Sequence, residues 1–391
     1  MSGGFLEIAR EHWARYPAME PQDFAKLAYQ SEFGPAHMAQ SPDRVLAALL
    51  AERKEAESGP RALEPIGNGL CRFHITQALS TLSELPLVGR MFTQTTVSRE
   101  GTEAGLSQKL EQLAALPLPG LKEFLEDWRR EGCPPVRHSE AFRNAYNPHY
   151  RILETKLAGF LPALVPIDRL SREHYAAYLR LSRDRDRLPG ERSGAYMRRN
   201  GIRPFLVAVD GRCGSGKTGF SGIAEQLIPG WKHVAHMDDF YLPWERRAPD
   251  WMEIPAGNMD LDRLQREILL PVHSGKPLAY QPFFPSSPVL DEYGTPLETD
   301  PDDVELILVE GTYSQHPSLA KYYDCRIFLT CDKEEQTRRL QAREGDYYPT
   351  FNRVWRALEE RYFAACGTEQ AADLVVDTTG FFTSGVNRFQ E

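Results

Sequence analysis

The stretch that most constrains this chain is residues 205–218, FLVAVDGRCGSGKT. An apolar run suited to a buried strand leads directly into Gly211, four further residues, then Gly216, Lys217 and Thr218. That spacing is the Walker A pattern, and each part of it has a physical reason. Glycines let the loop turn its N–H groups inward around phosphate oxygens, and the helix that follows adds its positive dipole end. TGFSGIAEQLIPG comes next, with a helix-like pattern and a Pro-Gly stop, so strand, loop and helix stand in order. We expect Gly211, Gly214, Ser215, Gly216, Lys217, Thr218 and Gly219 to hold a nucleotide. Lys217 would reach the β- and γ-phosphates, and the Thr218 hydroxyl would bind Mg²⁺.

A loop of this kind sits on a buried sheet, and the chain supplies one. HVAHMD, VELILVE, CRIFLTC and ADLVVDT recur between helical segments, as a parallel sheet covered on both faces requires. The fold class expected for 203–391 is therefore α/β. It is a three-layer P-loop NTPase fold on a mainly parallel five-stranded sheet. Residues 1–165 read as a mainly α-helical domain. SPDRVLAALLAERKEAES starts with Ser41 as N-cap and Pro42 at the first helical position. LSQKLEQLAAL and LKEFLEDWRR repeat the amphipathic spacing on either side of the breaker PLPG. HSEAFRNAYNPHYRILETKLAGFLPAL reads as one or two more helices, interrupted near Pro148. Residues 166–202 are Arg-rich, are broken at LPGERSG, and read as a linker.

Two strand ends carry acids where an open α/β sheet places its functional groups. HVAHMDDFYLP ends on Asp238 and Asp239, and VELILVEG ends on Glu310, a candidate Walker B carboxylate for Mg²⁺. The plainer readings are a solvated acidic pair or a helix N-cap, and a surface loop acid.

With VAVDGRCGSGKT, MDDFY, LVEGTYS and YYDCRIFLT in this order, residues 203–380 resemble the uridine kinase-like family of P-loop small-molecule kinases, whose relatives include pantothenate kinase and phosphoribulokinase. The resemblance implies ATP and Mg²⁺ as cofactors and a small-molecule hydroxyl acceptor as partner. It makes Asp238 the general base, with Phe240 and Tyr241 completing its segment and Tyr241 near the substrate. DWMEIPAGNMDLDRL corresponds to the acidic segment that holds ribose hydroxyls, through Glu253 or Asp260. This chain has EIP where a nucleoside-specific member has Asp-His-Pro, so uridine itself is not implied. KPLAYQPFF makes Tyr280 the candidate base-stacking residue, with core packing as the alternative. DKEEQTRRLQAREG reads as a helix leading to a lid, where Arg339 as a substrate contact and Arg343 as a catalytic group would neutralise phosphate charge. In FNRVWRALEERYF, Trp355, Leu358 and Tyr362 read as core. The function implied is ATP-dependent phosphotransfer to a metabolite hydroxyl. A non-nucleoside acceptor, or an ATP-switched regulatory module without transfer, stays open.

A net charge of −9 argues against non-specific nucleic-acid binding. Six cysteines without a Cys-x-x-Cys pair suit reduced thiols. With no apolar leader and no membrane-length apolar run, they point to a cytoplasmic protein without membrane contact. Oligomeric state, a homo-oligomer included, is left open. The amino-terminal half resembles no family we identify. His37, His74, His138 and His149 lack ligand-like spacing, and satisfied structural histidines are the favoured reading. Arg137, His138, Arg143, Tyr146, His149 and Arg151 form a dense polar group suited to an anionic ligand or to packing.

Overall fold

The structure is a computed structural model that describes residues 4–35, 41–56, 63–76, 84–181, 203–230, 232–274, 276, 278–283, 297–299 and 306–381. Two units are resolved, Met1–Leu161 with Gly380–Glu391, and Pro162–Thr379.

The first unit is helical around a small sheet. Its helices are α1 (Phe5–Arg15), α2 (Pro21–Phe33), α3 (Pro42–Glu55), α4 (Glu84–Ser98), α5 (Glu103–Leu113), α6 (Leu121–Arg130) and α7 (Glu140–Tyr146). Pro42 opens α3 as expected, although the Ser41 side chain makes no capping bond. Thr102 does cap α5, accepting from Gly105 N–H at 3.0 Å. The reading of this half missed β1 (Leu63–Gly67), β2 (Leu70–His74) and β3 (Tyr150–Glu154), which form an antiparallel sheet in that order. Gly67, Asn68 and Gly69 all take positive φ between β1 and β2, the conformation that makes Asn-Gly a hairpin former. Phe24, Leu27, Ile66, Leu110, Trp128 and Phe142 are among the buried side chains of its core.

Helix α8 (Thr155–Leu181) runs through Pro162 and Pro166. The domain boundary expected at 165/166 therefore falls inside a helix, and residues 182–202 of the expected linker lie outside the described residues.

In the second unit, β4 (Phe205–Gly211) is buried at every residue. It lies between β8 (Leu306–Glu310) and β9 (Cys325–Thr330), with β5 (Lys232–His236) and β10 (Leu374–Asp377) outside them. All four pairings are parallel, so this is the five-stranded α/β sheet expected. Helices α9 (Lys217–Leu227), α10 (261–273), α11 (Lys333–Glu344) and α12 (348–366) accompany it. β6 (Leu278–Tyr280) and β7 (Leu297–Thr299) form a separate antiparallel pair. Among the described residues no helix is long and apolar enough to cross a membrane. All six cysteines are free thiols.

Candidate active site

The P-loop leaves β4 at Gly211, whose φ is +142°. A Cβ there would stand 2.0 Å from the Leu329 carbonyl oxygen of β9, so only glycine lets the two backbones pass. Gly214 and Gly216 also take positive φ, and Gly216 caps α9 from the left-handed region. At Gly219, in the first turn of α9, an added Cβ would meet open space.

What fixes the loop comes from far along the chain. Cys213 N–H donates to Glu359 Oε2 at 3.0 Å, while Cys213 O accepts from Gln336 Nε2 at 3.0 Å. Gly214 O accepts from Arg339 Nη1 at 3.0 Å, and Ser215 O accepts from Thr378 Oγ1 at 2.8 Å. Arg212 points outward, bonded to Glu360 at 2.8 Å and Glu369 at 3.0 Å, with its guanidinium 5.2 Å from the Phe363 ring centroid. With the carbonyls of 213–215 tied outward and Ser215 N–H turned back to Arg212 O at 3.0 Å, the remaining N–H groups toward the start of α9 suit a phosphate. Under the loop, buried Asp210 accepts from Tyr362 Oη at 2.7 Å, Gln315 N at 3.0 Å and Gly211 N at 2.7 Å. Burial nevertheless pushes its carboxyl up to about 6.

Lys217 Nζ donates to Gly211 O at 2.7 Å and Arg212 O at 3.1 Å. Thr218 Oγ1 donates to Glu310 Oε1 at 3.3 Å, and His236 Nδ1 lies 2.7 Å from the same oxygen. That bond raises the His236 pKa, against the burial that would lower it. Glu310 Oε2 is buried without a partner, as is Ser215 Oγ. A hydroxyl and a carboxylate with one orphaned oxygen make a hard donor pair. They fit Mg²⁺, which takes one or two protein oxygens beside those of phosphates.

Asp238 follows β5 and opens to solvent, yet the protein packed around it raises its carboxyl pKa, and the negative Glu310 adds to the rise. Lys217, His236 and the Tyr241 hydroxyl are close enough to oppose that shift. Asp239 is half-buried; its backbone carbonyl accepts from Arg263 and from Phe283 N–H. Tyr241 is held in an antiparallel bridge to Met259, with its ring 6.1 Å from that of Trp355.

Three expectations change. Tyr280 is buried in the core, stacked on Phe240 at 5.4 Å with its hydroxyl 3.0 Å from His233 Nε2, so its ring offers no free face to a base. Arg339 is spent on Glu335, Gly214 O and Thr378 as a clamp on the loop rather than a substrate contact. Trp355 is half-buried beside Tyr241 instead of in the core, whereas Leu358 and Tyr362 are buried. Glu253 projects into solvent, 72 % exposed, 3.3 Å from Arg361. Asp260 caps α10 by accepting from Arg263 N–H at 3.0 Å and pairs with Arg246 at 3.4 Å. Arg343 is 53 % exposed and bonds Glu344 at 2.6 Å; its charge reaches the Cys213 thiol. Sequence reasoning missed Asp210, Gln336, Glu359 and Thr378, which support the loop from elsewhere, and His236, which touches Glu310.

In the amino-terminal unit His138 bridges Asp23 Oδ1 at 2.7 Å and Tyr150 Oη at 2.6 Å. His74 Nε2 lies 3.3 Å from Glu64, and Arg151 is bonded to Glu52 at 2.6 and 2.8 Å. Tyr146 Oη accepts from Ala18 N at 2.9 Å. His37 lies outside the described residues.

A parallel sheet ending in a clamped Walker A-patterned loop, with carboxylates after the two strands on one side, defines a P-loop α/β unit. Its fold is similar to those of solved kinases. A protein described as a possible uridine kinase from Bacillus stearothermophilus matches at 20 % identity and TM-score 0.35, over 45 % of this chain and 89 % of its own. A candidate fructose transport system kinase from Silicibacter matches at 22 % identity and TM-score 0.35, over 53 % of this chain and 98 % of its own. D-glycerate 3-kinase from Cryptococcus neoformans matches at 15 % identity and TM-score 0.35, over 51 % of this chain and 87 % of its own. No family model and no curated protein matches the chain.

Proposed function

We propose that residues 203–380 form an ATP-dependent kinase that passes the γ-phosphate to a hydroxyl of a small metabolite. The observation that supports this most is Asp238, a carboxylate of raised pKa within reach of the fields of Lys217 and Glu310. A phosphate-binding lysine, a metal-suited acid and a solvent-open base together suit the meeting of an attacking hydroxyl with a phosphate. Asp238 orients that hydroxyl and accepts its proton as the new O–P bond forms and the bond from the γ-phosphorus to the bridging oxygen breaks, releasing ADP. A raised pKa suits this role, because a base poised nearer the working pH takes the proton more readily. Tyr241 holds the carboxylate, and the P-loop N–H groups with Lys217 neutralise phosphate charge. Mg²⁺, held by Thr218 and Glu310, would supply further charge neutralisation. Arg343 is the lid group of this reading, exposed and near the loop.

The site favours a non-nucleoside acceptor. Tyr280 is buried against Phe240, and EIP stands where a nucleoside kinase carries Asp-His-Pro, so neither base stacking nor that ribose contact is supported. The test is ATP-dependent phosphorylation of hydroxylated acids, sugars, nucleosides and vitamin precursors, followed by mass spectrometry. Product from at least one acceptor, lost in Lys217→Ala and in Asp238→Asn while the latter still binds ATP, is expected. Phosphate transfer that survives Asp238→Asn would remove the assignment.

A further inference from the structure

The segment after Tyr241 holds an arginine that phosphate transfer to a hydroxyl does not itself need. The Arg247 guanidinium lies 4.2 Å from the Trp244 ring centroid and 4.8 Å from that of Trp251. The two indoles meet edge to face, 5.8 Å apart. Arg247 Nε donates to Leu242 O at 2.9 Å, which ties the group to the residue beside Tyr241. Its Nη1 is buried and has no partner.

Charge neutralisation is also missing. Asp260 is engaged by Arg246 and Glu253 by Arg361, and among the described residues no carboxylate pairs with Arg247. The side chain is half-buried, and a guanidinium nitrogen shut off from water without an acceptor is costly enough to suit a ligand that supplies one. Trp244 is 59 % exposed, so this cage is not core packing. A second donor points the same way. Asn258, whose carbonyl accepts from Leu242 N–H at 2.8 Å, is buried, and its Nδ2 has no partner. Both groups hang on the short bridge that carries Tyr241; Asn258 faces the Tyr313 hydroxyl, whereas Arg247 Nη1 faces no acceptor.

We propose that Arg247, with Asn258, reads an anionic group on the phosphate acceptor, so that the acceptor is a hydroxylated acid, carboxylate or phosphate, rather than a neutral sugar or nucleoside. The inference rests on the kinase reading of Asp238 and deepens it. Tyr241 links the two halves: its hydroxyl lies close enough to Asp238 to lower the carboxyl pKa, and its neighbour Leu242 accepts from Arg247 Nε and donates to the Asn258 carbonyl. The two indoles, perpendicular to each other, border the guanidinium on two sides, and its fork of N–H donors is the group suited to planar recognition of an oxyanion.

Matched pairs test this by binding, independently of turnover. The full chain carrying Asp238→Asn, with Mg²⁺ and a non-hydrolysable ATP analogue, is titrated by calorimetry with D-glycerate against glycerol, and ribose 5-phosphate against ribose. At least one acid should bind about tenfold or more tightly than its neutral partner, as a charge-assisted contact implies. The pair that shows the gap tells carboxylate from phosphate. Adding Arg247→Met, which keeps the stem between the indoles, should close the gap, and Arg247→Lys should restore part of it. Equal binding of acid and neutral partner, binding of neither, or a gap that survives Arg247→Met in a chain of unchanged melting temperature overturns the proposal. Turnover of the same pairs by the unsubstituted chain judges the kinase separately. Selective acid binding without phosphate transfer would remove the kinase and leave the acid site standing.

Discussion

Two acids, Asp23 in the amino-terminal unit and Glu310 in the P-loop unit, are buried in opposite ways. In the amino-terminal unit, Asp23 is fully buried and accepts from His138, Ser139 N, Ser139 Oγ and Glu20 N, leaving neither oxygen free. Although burial alone would raise its pKa, the His138 and Ser139 bonds hold it low. In the P-loop unit, Glu310 Oε2, Ser215 Oγ, Arg247 Nη1 and Asn258 Nδ2 are buried without partners, and Asp238 stands open to solvent. A closed network such as that of Asp23 stabilises a fold, whereas an orphaned carboxylate oxygen beside the P-loop is stability given up where a ligand can supply the partner. The same residue types, Asp and His, therefore read as scaffold in one unit and as site in the other.

The largest test of that contrast removes one acid from each side. Asp238→Asn should lower phosphate transfer by about 10²- to 10⁴-fold, the range for loss of a general base, with little change in melting temperature. Asp23→Ala should do the reverse. It leaves His138 and Ser139 without their acceptor and costs about 3–5 kcal/mol, as when one partner of a buried charged network is removed. Calorimetry and steady-state kinetics on the two variants decide it. A large stability loss in Asp238→Asn, or none in Asp23→Ala, breaks the comparison.

Glu359 sharpens it, because it is a scaffold acid inside the catalytic unit. Glu359→Ala strips the acceptor from Cys213 N–H, and about 1–3 kcal/mol is expected for a buried donor left unpaired. Since the released atom belongs to the P-loop, ATP affinity should fall with it. Titration with ATP and Mg²⁺ checks this, and unchanged ATP affinity would mean that the loop keeps its shape without the tether.

Acid should weaken the amino-terminal unit more than the P-loop unit, where His233 and His316, also lowered by burial, are offset by the raised Asp210. Burial lowers His12 and His138 to about 4 from an ordinary 6.5. Their contribution is complete above pH 6.5 and is lost as pH falls toward 4. At pH 5 the loss is on the order of 2 kcal/mol for each. Asp210 runs the other way. Its carboxyl is raised to about 6, so the stability it offers is present at low pH and lost as pH rises through 6. Going from pH 7 to pH 5 returns about 1 kcal/mol there. Calorimetric scans identify the P-loop unit as the transition that ATP and Mg²⁺ move upward. The other transition should fall more steeply on acidification, and parallel shifts would refute the assignment.

Legibility followed the same divide. The P-loop, the buried parallel strands and the acids at their ends were readable because each is a local demand: glycine where only glycine fits, and apolar runs where both faces are covered. Asp210, Gln336, Glu359 and Thr378 were not, since their roles come from partners more than a hundred residues away or on another element. The sheet of the first unit was hidden for a related reason. β2 buries Arg72 in mid-strand, which breaks any apolar run, and partners distant in sequence make that arginine tolerable: Gln30 Oε1 of α2 at 2.9 Å, Glu64 at 3.9 Å and the Tyr150 ring at 4.8 Å.

Tyr280 gives the smallest expected effect and the most direct check on how a side chain is assigned to core or site. Tyr280→Phe keeps the ring that stacks on Phe240 and deletes only the hydroxyl beside His233. The loss should be about 1 kcal/mol, that of one neutral hydrogen bond. If the ring is core, the acceptor KM stays within about twofold, because nothing the substrate touches has moved. Tyr280→Leu, which removes the ring, should then cost more stability than the Phe variant without a selective loss for nucleosides over acids. A KM increase confined to nucleosides in either variant would return Tyr280 to the site, and with it the resemblance-based view of the acceptor as a planar base.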